Sequence, residues 1–312
     1  MKKILITGGA GNVGGALAKK LVEDQHNFVV IIDNLVTGSI HKLPPSKGDN
    51  WKFIKADVNS YQDISAIMLA YQFDYVFHYA ALVGVQRTLN NPVKVLEDIE
   101  GIKNILNLSK NTNVKRVFYS SSSEVYGEPV EFPQNEETTP LNSRLPYAIV
   151  KNLGEAFFKS YQKEYGLDFT IFRFFNTYGP DQSMDFVMAK FIRNALKNEP
   201  ITIYGDGSQT RTFCYISDNI ETTAKILHEN LLVNDIINIG NHQEISVLQL
   251  AQKIIQLSGS KSEIIHLPPL TEGDMTRRKP DISKMLAVLG KPLIDVETGI
   301  LKMIAYIQKE QE

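Results

Sequence analysis

The sequence has little of what marks several special classes of protein. Among its 312 residues there is one cysteine, Cys214, which excludes an internal disulfide and a zinc site built from cysteines. Its 33 Lys and Arg nearly balance its 35 Asp and Glu, giving a formal net charge of −2. Attachment to nucleic acid or anionic lipid through bulk positive charge is therefore not expected. No apolar run approaches the roughly 18 residues of a membrane-spanning helix.

The N-terminus is also not expected to be a secretion signal, because the apolar stretch that follows its two lysines is short and leads directly into glycines. We therefore expect a cytoplasmic protein with no metal site and no nucleic-acid or membrane partner. Hydrophobic residues make up 43% of the chain, which is ordinary for a globular protein. A chain of this length buries enough apolar surface to fold without disulfides, and it suggests about two domains at roughly 150 residues each.

Short β-branched runs alternate with longer amphipathic stretches over the first 175 residues or so. Near-continuous apolar runs such as Phe28–Ile32 are typical of strands buried on both faces of a parallel sheet. The alternation predicts an α/β fold, a Rossmann-like doubly wound parallel sheet. Predicted strands are Lys3–Thr7, Phe28–Asp33, Trp51–Ala56, Tyr75–Tyr79, Val114–Ser120 and Phe169–Phe175, and predicted helices are Gly11–Asp24, Tyr61–Tyr71, Pro92–Asn111 and Arg144–Tyr165.

The regular alternation of predicted strands and helices ends after Gly179-Pro180, where the predicted strands become short and scattered. We expect residues 1–176 to form a nucleotide-binding domain and residues 177–312 a smaller substrate-binding domain, with part of 213–240 returning to the first sheet. The segment from Leu267 to Pro280 is predicted to be a long loop, and such loops are often functional. Helices are predicted here at Phe186–Lys197, Asp218–Asn230, Val247–Ser258 and Thr298–Gln308.

A glycine-rich turn follows the first predicted strand and opens the first helix. Its three glycines allow a sharp turn, close approach to a pyrophosphate and tight helix packing, while the helix N-terminus offers free N–H groups to the phosphates. Asp33 lies 19 residues beyond Gly14, where an acid accepts hydrogen bonds from an adenosine ribose and repels a 2′-phosphate. The sequence therefore predicts NAD as cofactor. The predicted cofactor-binding residues are Gly8, Gly11, Asn12, Val13, Gly14, Asp33, Asn34, Asp57, Val58, Ala80, Ala81, Tyr147 and Lys151. Asp57 could equally act only as a helix cap.

Tyr147 and Lys151 lie four residues apart, on one face of a predicted helix. This helix follows the fifth predicted strand, whose end carries the serines 120 to 123. In an open α/β sheet the ligand lies just outside the carboxyl ends of the strands, so the two segments are expected to meet there. A tyrosine hydroxyl has an ordinary pKa of about 10, and a nearby ammonium favours its ionised form. It could then take a proton from a sugar hydroxyl while a hydride leaves the carbon.

At these residues the sequence resembles the extended short-chain dehydrogenases/reductases, and in particular the NAD-dependent nucleotide-sugar epimerases and dehydratases. The resemblance extends over essentially the whole chain, through ordered motifs that are together more specific than any one of them. They are TGGAGNVG, DNLVTG, HYAA, SSSEVYGEP, YAIVK, RFFNTYGP, IYGDGSQTRTFCYISD and RRKPDISK. It implies tightly bound NAD, a nucleotide diphosphate-sugar substrate, a C-terminal domain that holds that substrate, and a reaction that begins by oxidising the sugar at C4.

Matched motif by motif, the resemblance implies catalytic roles for Ser122, Tyr147 and Lys151. Glu124 matches an acid of the decarboxylase and dehydratase branches and is a further candidate catalytic residue. It could be the base at C5, a polar contact to the sugar or a spectator. The implied substrate-binding residues are Ser123, Glu124, Asn176, Arg211, Arg277 and Arg278. Arginine forks suit the two phosphates of such a substrate, although each arginine taken singly could also be a solvated loop residue.

The chain also departs from the family pattern. Asn12-Val13 replaces an aromatic-isoleucine pair, and Asp98 stands where members often carry Asn. Ser123-Glu124 is unlike the Asp-Glu of dTDP-glucose dehydratases and closer to uronate decarboxylases and GDP-mannose dehydratases, whereas the segment from Leu82 to Arg87 is closer to epimerases.

The predicted reaction is therefore nucleotide-sugar 4-epimerisation. The alternatives are a 4-dehydrogenase of a GDP- or UDP-sugar, a UDP-glucuronate decarboxylase and a GDP-sugar 4,6-dehydratase. A catalytically dead NAD-sensing module is an alternative of another class. The resemblance also implies a homodimer, in which the helices predicted at Pro92–Asn111 and Arg144–Tyr165 would pair across subunits through Ile149, Val150, Leu153, Phe157 and Phe158, although core packing explains these apolar residues equally well.

Overall fold

The computed structural model describes residues 1–45, 48–128, 130–269 and 277–309. Its strands are β1 (Lys2–Thr7), β2 (Asn27–Asp33), β3 (Trp51–Lys55), β4 (Tyr75–His78), β5 (Arg116–Ser122), β6 (Asp168–Phe174), β7 (Thr177–Tyr178), β8 (Ile201–Tyr204), β9 (Thr210–Thr212), β10 (Cys214–Tyr215), β11 (Asp235–Ile239), β12 (Glu244–Ser246) and β13 (Ile264–Leu267). Its helices are α1 (Asn12–Leu21), α2 (Tyr61–Tyr71), α3 (Val85–Asn90), α4 (Pro92–Leu96), α5 (Asp98–Asn111), α6 (Pro146–Tyr165), α7 (Val187–Leu196), α8 (Ile216–His228), α9 (Val247–Ser258), α10 (Ser283–Leu289) and α11 (Val296–Lys309).

A seven-stranded sheet has the order β11-β6-β5-β4-β1-β2-β3. The pairs from β6 through β3 are parallel. The order reverses at β1, with β2 and β3 on one side of it and β4, β5 and β6 on the other. This reversal is the point at which doubly wound sheets bind ligands. The Rossmann-like fold predicted from the sequence is confirmed, and β11 is the strand from the later part of the chain that joins this sheet.

The chain divides into two compact units. The first comprises residues 1–125, 143–174 and 220–237, and the second comprises 126–142, 175–219 and 238–312. In the first unit the strand side chains and the apolar faces of α2, α5 and α6 form one buried cluster. In the second unit the short strands form three pairs, β7 with β10, β8 with β13 and β9 with β12.

Local signals set several helix boundaries. Ser60 caps α2 by accepting a hydrogen bond from the Asp63 amide, and Ser246 forms a capping box with Gln249 at the start of α9. Gly166 ends α6 in the left-handed conformation that glycine adopts without strain. These three helices begin or end within two residues of the predicted positions.

One predicted helix, Pro92–Asn111, is wrong as a single element. The structure has α4 and α5 instead, separated at Glu97. At this point the chain has a hydrogen bond of the 3-10 type: the Glu100 amide donates to the carbonyl of Glu97, three residues back, at 3.0 Å. The strand predicted at Val114–Ser120 instead runs from Arg116 to Ser122, two residues further along the chain, so Ser122 is its last residue.

Two helices, α3 and α10, were not predicted. The long loop predicted from Leu267 to Pro280 lies partly outside the described residues, which leave out 270–276. Within the described parts of the chain, no helix combines the length and apolar character needed to cross a membrane.

Candidate active site

The glycine turn between β1 and α1 is shaped by contacts that leave no room for side chains. Gly8 has φ +68°, and a Cβ there would lie 2.6 Å from the amide nitrogen of Ala80. A Cβ on Gly14 would lie 2.4 Å from the carbonyl oxygen of Gly8. Helix α1 begins at Asn12 with Gly11 as its N-cap, so no capping side chain covers the first-turn amides of Asn12, Val13 and Gly14. The turn therefore fits a pyrophosphate at a helix N-terminus.

Asp33 ends β2 beside this turn. Its carboxylate accepts hydrogen bonds from the amides of Ala10, at 3.0 Å, and Leu35, at 2.8 Å. Gly38 packs against the carboxylate so closely that a Cβ would lie 2.6 Å from Oδ1. These contacts fix the orientation of the acid, and a fixed acceptor at this place fits the hydroxyls of an adenosine ribose.

The neighbouring strand end holds the other predicted adenosine contacts. The exposed Asn34 donates a hydrogen bond from its side chain to Asp57, 3.1 Å away. The other oxygen of Asp57 accepts from the Asn59 amide at 2.9 Å, and Val58 is buried. Asp57 thus stabilises the turn after β3, but the N-cap of α2 is Ser60, so the capping alternative for Asp57 is wrong. Its bond with Asn34 joins the ends of β3 and β2.

Thr7 and His78 join the ends of β1 and β4. The Thr7 hydroxyl accepts from the amides of Tyr79 and Ala80, both at 3.2 Å, so its one proton is donated to Nδ1 of His78, 2.9 Å away. Burial, with a smaller contribution from the charge of Lys151, lowers the pKa of His78 to about 3. His78 is therefore neutral, and it accepts from the Thr7 hydroxyl, which in turn accepts from the Ala80 amide.

The end of β5 presents Ser122 and Glu124 from adjoining backbone. Ser122 is the last strand residue, and a single 3-10 turn carries Ser123 and Glu124. The Ser122 hydroxyl oxygen accepts from the Glu124 amide at 3.2 Å, which leaves the hydroxyl proton available to a substrate oxygen. Ser123 is buried, whereas Glu124 is half-buried.

Lys151 is a buried ammonium on α6, facing the same strand. Its Nζ donates to the Ser120 carbonyl at 2.6 Å and lies 5.8 Å from the ring centroid of Tyr147. Burial lowers the pKa of Lys151 to about 8, and the negative charge of Asp98 partly opposes that effect. The structure therefore brings together Tyr147, Lys151 and the end of β5, as the sequence predicted. The pKa of Lys151, about 8, lies close to neutral pH.

Helix α6 is fixed to the sheet by a buried ion pair. Glu155, one turn beyond Lys151, accepts two hydrogen bonds from Arg173 of β6, from Nε at 2.9 Å and from Nη2 at 2.7 Å. Ser121 donates to the same carboxylate at 2.6 Å. Both charged side chains are at most 2% exposed. This network holds the register of α6 against β5 and so positions Tyr147 and Lys151.

Glu155 is a site-positioning residue that was not predicted from the sequence. The available signal was an acid one helical turn after Lys151, on the face of α6 that also carries Ala148, Val150 and Phe158, together with an arginine inside an apolar strand. Single residues of this kind do not reveal their partners, because the pairing of α6 with β6 is a property of the tertiary fold.

In the second unit, three of the predicted phosphate-binding residues lie around β9. Asn176 donates from its side chain to the Thr212 carbonyl at 3.1 Å. Arg211 lies on β9, and its Nη1 donates to the Thr210 carbonyl at 2.7 Å. Arg277 forms a backbone bridge with Thr210.

The guanidinium of Arg277 forms a bidentate ion pair with Glu244, from Nε at 2.5 Å and from Nη2 at 2.7 Å. Hydrogen bonding from Arg277 is the largest cause that lowers the pKa of Glu244 to about 2. Arg278 is buried, at 6% exposure. The two adjacent arginines, which are alike in the sequence motif, therefore occupy different environments.

Replacing Gly8 by alanine is expected to weaken NAD binding at least tenfold, because the new methyl group collides with the backbone of Ala80. Gly259→Ala is the matched control, since Gly259 has φ +64° but a methyl group there would meet no atom within 4 Å beyond its chain neighbours. Isothermal titration with NAD⁺ measures both. Equal affinities in the two variants would contradict the assignment of the turn.

The chain matches a protein-family model. The model described as the NAD-dependent epimerase/dehydratase family matches residues 4–240. Among curated proteins, UDP-glucuronic acid decarboxylase 1 of Xenopus tropicalis is 38% identical over 320 residues, covering 100% of this chain and 73% of the relative. A putative UDP-glucose 4-epimerase of Methanocaldococcus jannaschii is 34% identical and covers 98% of both chains.

Solved structures of nucleotide-sugar epimerases are also similar to this chain. The UDP-glucose 4-epimerase of Thermotoga maritima, crystallised with UDP-glucose, has a TM-score of 0.92 and 30% identity, covering 99% of this chain and 100% of its own. The UDP-glucuronic acid 4-epimerase of Bacillus cereus, in complex with UDP-glucuronic acid and NAD, has a TM-score of 0.89 and 29% identity over 99% of both chains. These similarities extend over both compact units of the chain.

Proposed function

Because the chain belongs to the NAD-dependent epimerase/dehydratase family of extended short-chain dehydrogenases/reductases, we propose that it is a UDP-sugar 4-epimerase. It is an NAD-dependent enzyme that acts on a nucleotide-sugar. The observation that carries the proposal is the placement of Tyr147 and Lys151 of α6 against the end of β5 that carries Ser122, in the unit that also contains the glycine turn.

Each residue has a distinct task in the proposed oxidation. When bound, NAD⁺ supplies the acceptor for the hydride that leaves C4. Tyr147 takes the proton of the C4 hydroxyl as the C4–H bond breaks, so that the sugar becomes a 4-ketone. The Lys151 ammonium stabilises the phenolate form of Tyr147, and the Ser122 hydroxyl donates a hydrogen bond to the C4 oxygen. We propose that Asn176, Arg211 and Arg278 bind the diphosphate and that Arg277 does so after exchanging Glu244 for the ligand.

In the epimerase proposal the ketone turns over and the hydride returns to its other face. The segment from Leu82 to Arg87 and the epimerases among the structural neighbours support this completion. UDP is favoured as the nucleotide because UDP-sugars are named for the relatives described above.

UDP-glucuronate decarboxylation is the second candidate, and a specific residue favours it. A carboxylate next to C5 becomes labile once C4 is a ketone, and the carbon it leaves behind needs a proton. Glu124, half-buried two residues after Ser122, is an acid suited to supply one. The 38% identity to a curated UDP-glucuronic acid decarboxylase also supports this completion.

One product assay separates these candidates. The purified protein is incubated with UDP-glucose, UDP-N-acetylglucosamine and UDP-glucuronic acid, and the products are identified by NMR. A C4 epimer of any of them supports the proposal, whereas a UDP-pentose with release of CO₂ supports the second candidate. If none of these sugars and none of a further panel of GDP- and dTDP-sugars is converted or reduces bound NAD⁺, the catalytically dead NAD-sensing module is favoured.

We also propose that the protein is a homodimer formed through α4 and α6. Four large aliphatic side chains are exposed on these two helices, namely Val93 at 70%, Leu96 at 46%, Ile149 at 43% and Leu153 at 42%. Val150 and Phe158, which were predicted from the sequence to lie in this interface, are instead buried in the core of the first unit. A second copy would cover the exposed four.

The double variant Ile149→Lys/Leu153→Glu is expected to be monomeric at concentrations where the wild-type protein is a dimer, because charges in an apolar interface lose their hydration. Light scattering coupled to gel filtration measures the mass. Leu69→Glu is the control, because it changes an exposed leucine on α2, outside the proposed interface, and it should leave the dimer intact. A monomeric wild-type protein would contradict the proposal.

A further inference from the structure

Residues 277–281, which include the two adjacent arginines, have a backbone partner on each side within the second unit. On one side, Arg277 forms a parallel bridge with Thr210, the first residue of β9. On the other side, Pro280 forms a parallel bridge with Gln134. The placement of this segment therefore determines where both arginines lie relative to β9.

Gln134 binds the segment with its backbone and also with its side chain. Its amide donates to the Lys279 carbonyl and its carbonyl accepts from the Asp281 amide, both at 2.8 Å. Its side-chain Oε1 accepts from the Lys279 amide at 3.2 Å. Because Pro280 has no N–H, the amides of Lys279 and Asp281 are the two donors that flank it, and Gln134 accepts from both.

The loop that carries Gln134 is held by further bonds that do not involve its side chain. Asn238 donates from Nδ2 to the carbonyls of Gln134, at 2.9 Å, and Asp281, at 3.1 Å. Asn135 donates from its side chain to Asp281 Oδ2 at 3.1 Å and from its amide to the Thr139 hydroxyl at 2.7 Å. Gln134 itself is fully buried. Removing its side-chain oxygen therefore deletes one contact and leaves the others in place.

The register of the segment decides which way each arginine points. Arg277 and Lys279 both pair with Glu244, so these two side chains lie on one face. The ring centroid of Phe132, two residues before Gln134, lies 4.4 Å from the Arg277 guanidinium. Arg278, between them, is buried. Side chains alternate along an extended chain, so a slip by one residue would exchange the environments of the two arginines.

We propose that Gln134 is a positioning residue for the substrate diphosphate, because the bond between its Oε1 and the Lys279 amide fixes the register of residues 277–281. The proposal rests on the diphosphate-binding roles proposed above for Arg277 and Arg278. Gln134 acts through the backbone of Lys279 and is assigned no contact with the sugar.

Gln134→Met removes this contact with little other change. Methionine is an unbranched side chain of similar length, and Gln134 Nε2 is buried with no acceptor among the described residues, so losing that nitrogen breaks no bond. We expect the Kd for UDP to rise about tenfold, as for loss of one hydrogen bond. The Kd for uridine, which has no phosphate, should stay within about twofold of wild type.

Gln249→Met is the matched control. Gln249 Oε1 accepts from the Ser246 amide at 3.0 Å, so this glutamine makes the same kind of bond in the same unit, at the start of α9. Calorimetry measures the Kd for UDP, and NMR titration measures the Kd for uridine. Both should stay within about twofold of wild type in the control. General damage to the second unit would weaken uridine and UDP alike, whereas misplaced arginines weaken UDP alone.

A second variant covers the case in which Gln134→Met does not fold. Gln134→Asn stays polar and withdraws the oxygen by one methylene, so it should give the same selective loss of UDP affinity. An equal loss for UDP and uridine, or a ratio of the two affinities that matches the Gln249→Met control, overturns the role of Gln134.

These outcomes separate the role of Gln134 from the proposed function. If the UDP affinity falls selectively but no sugar is converted, the proposed function fails and the positioning role stands. If sugars are converted and the ratio is unchanged, the positioning role alone fails. If GDP or dTDP binds the wild-type protein in place of UDP, the same comparison is made with that diphosphate and its nucleoside. A wild-type protein that binds none of the three overturns both.

Discussion

Tyr147→Phe is expected to lower the rate of substrate-dependent NAD⁺ reduction by a factor of about 10³ while leaving NAD binding within twofold of wild type. The variant keeps the ring and loses only the hydroxyl that takes the proton, and general-base catalysis by a positioned side chain typically contributes about 10²- to 10⁴-fold. The Tyr147 hydroxyl is expected to act in the oxidation step and not in sugar binding. The lower rate should therefore appear in kcat, with little change in KM for the sugar.

Tyr165→Phe is the matched control for this experiment. Tyr165 is the last residue of the same helix, is 48% exposed and contacts Lys110 and Tyr161, remote in sequence from the end of β5. It should retain the wild-type rate. Stopped-flow absorbance of NADH measures the step, and equilibrium dialysis of NAD⁺ measures binding. A Tyr147→Phe protein that still reduces its cofactor at a rate within tenfold of wild type would show that another group is the base.

Arg173→Met is expected to reduce the free energy of unfolding by about 3–5 kcal/mol, because it leaves the carboxylate of Glu155 buried without its cation. The same substitution removes the two Arg173–Glu155 hydrogen bonds described above, which help to fix α6 to β6, so activity should fall with stability. Urea unfolding followed by circular dichroism measures the loss.

A double variant distinguishes the cost of an unpaired charge from the cost of a changed core. Arg173→Met combined with Glu155→Leu replaces both charges by apolar side chains, and buried pairs replaced in this way are often near neutral. We expect it to be more stable than Arg173→Met alone. Lys20→Met, which breaks the exposed pair with Glu23, should change the free energy of unfolding by less than about 1 kcal/mol. A single variant as stable as the double one would contradict the importance of the pair.

The sequence was most informative where local chemistry determines local structure. The glycine spacing, the apolar strands and the acid that ends β2 all act over short stretches of chain, and the structure places Gly8, Gly14 and Asp33 at the carboxyl ends of β1 and β2. The Tyr147–Lys151 pair follows from helical periodicity alone. That the helix meets the end of β5 follows from the rule for ligand sites in open sheets.

The sequence was least informative where partners are distant along the chain. Arg277 is bound to Glu244, 33 residues away, and Arg173 to Glu155, and no periodicity predicts such pairs. The amphipathic pattern of residues 92–111 continues through Glu97, so it did not predict the break between α4 and α5 there. The exposures of Ile149 and Val150 likewise depend on which face of α6 the sheet covers.

The most direct test of C4 oxidation follows the hydrogen itself. The protein is incubated with UDP-glucose and UDP-glucuronic acid carrying deuterium at C4, and the recovered products are examined by mass spectrometry and NMR. Oxidation with return of the same hydride predicts transient NADH that forms more slowly with the deuterated sugars and product that keeps its deuterium at C4. Converted product that has exchanged the label for solvent hydrogen, with no NADH signal, would contradict hydride transfer between C4 and NAD⁺.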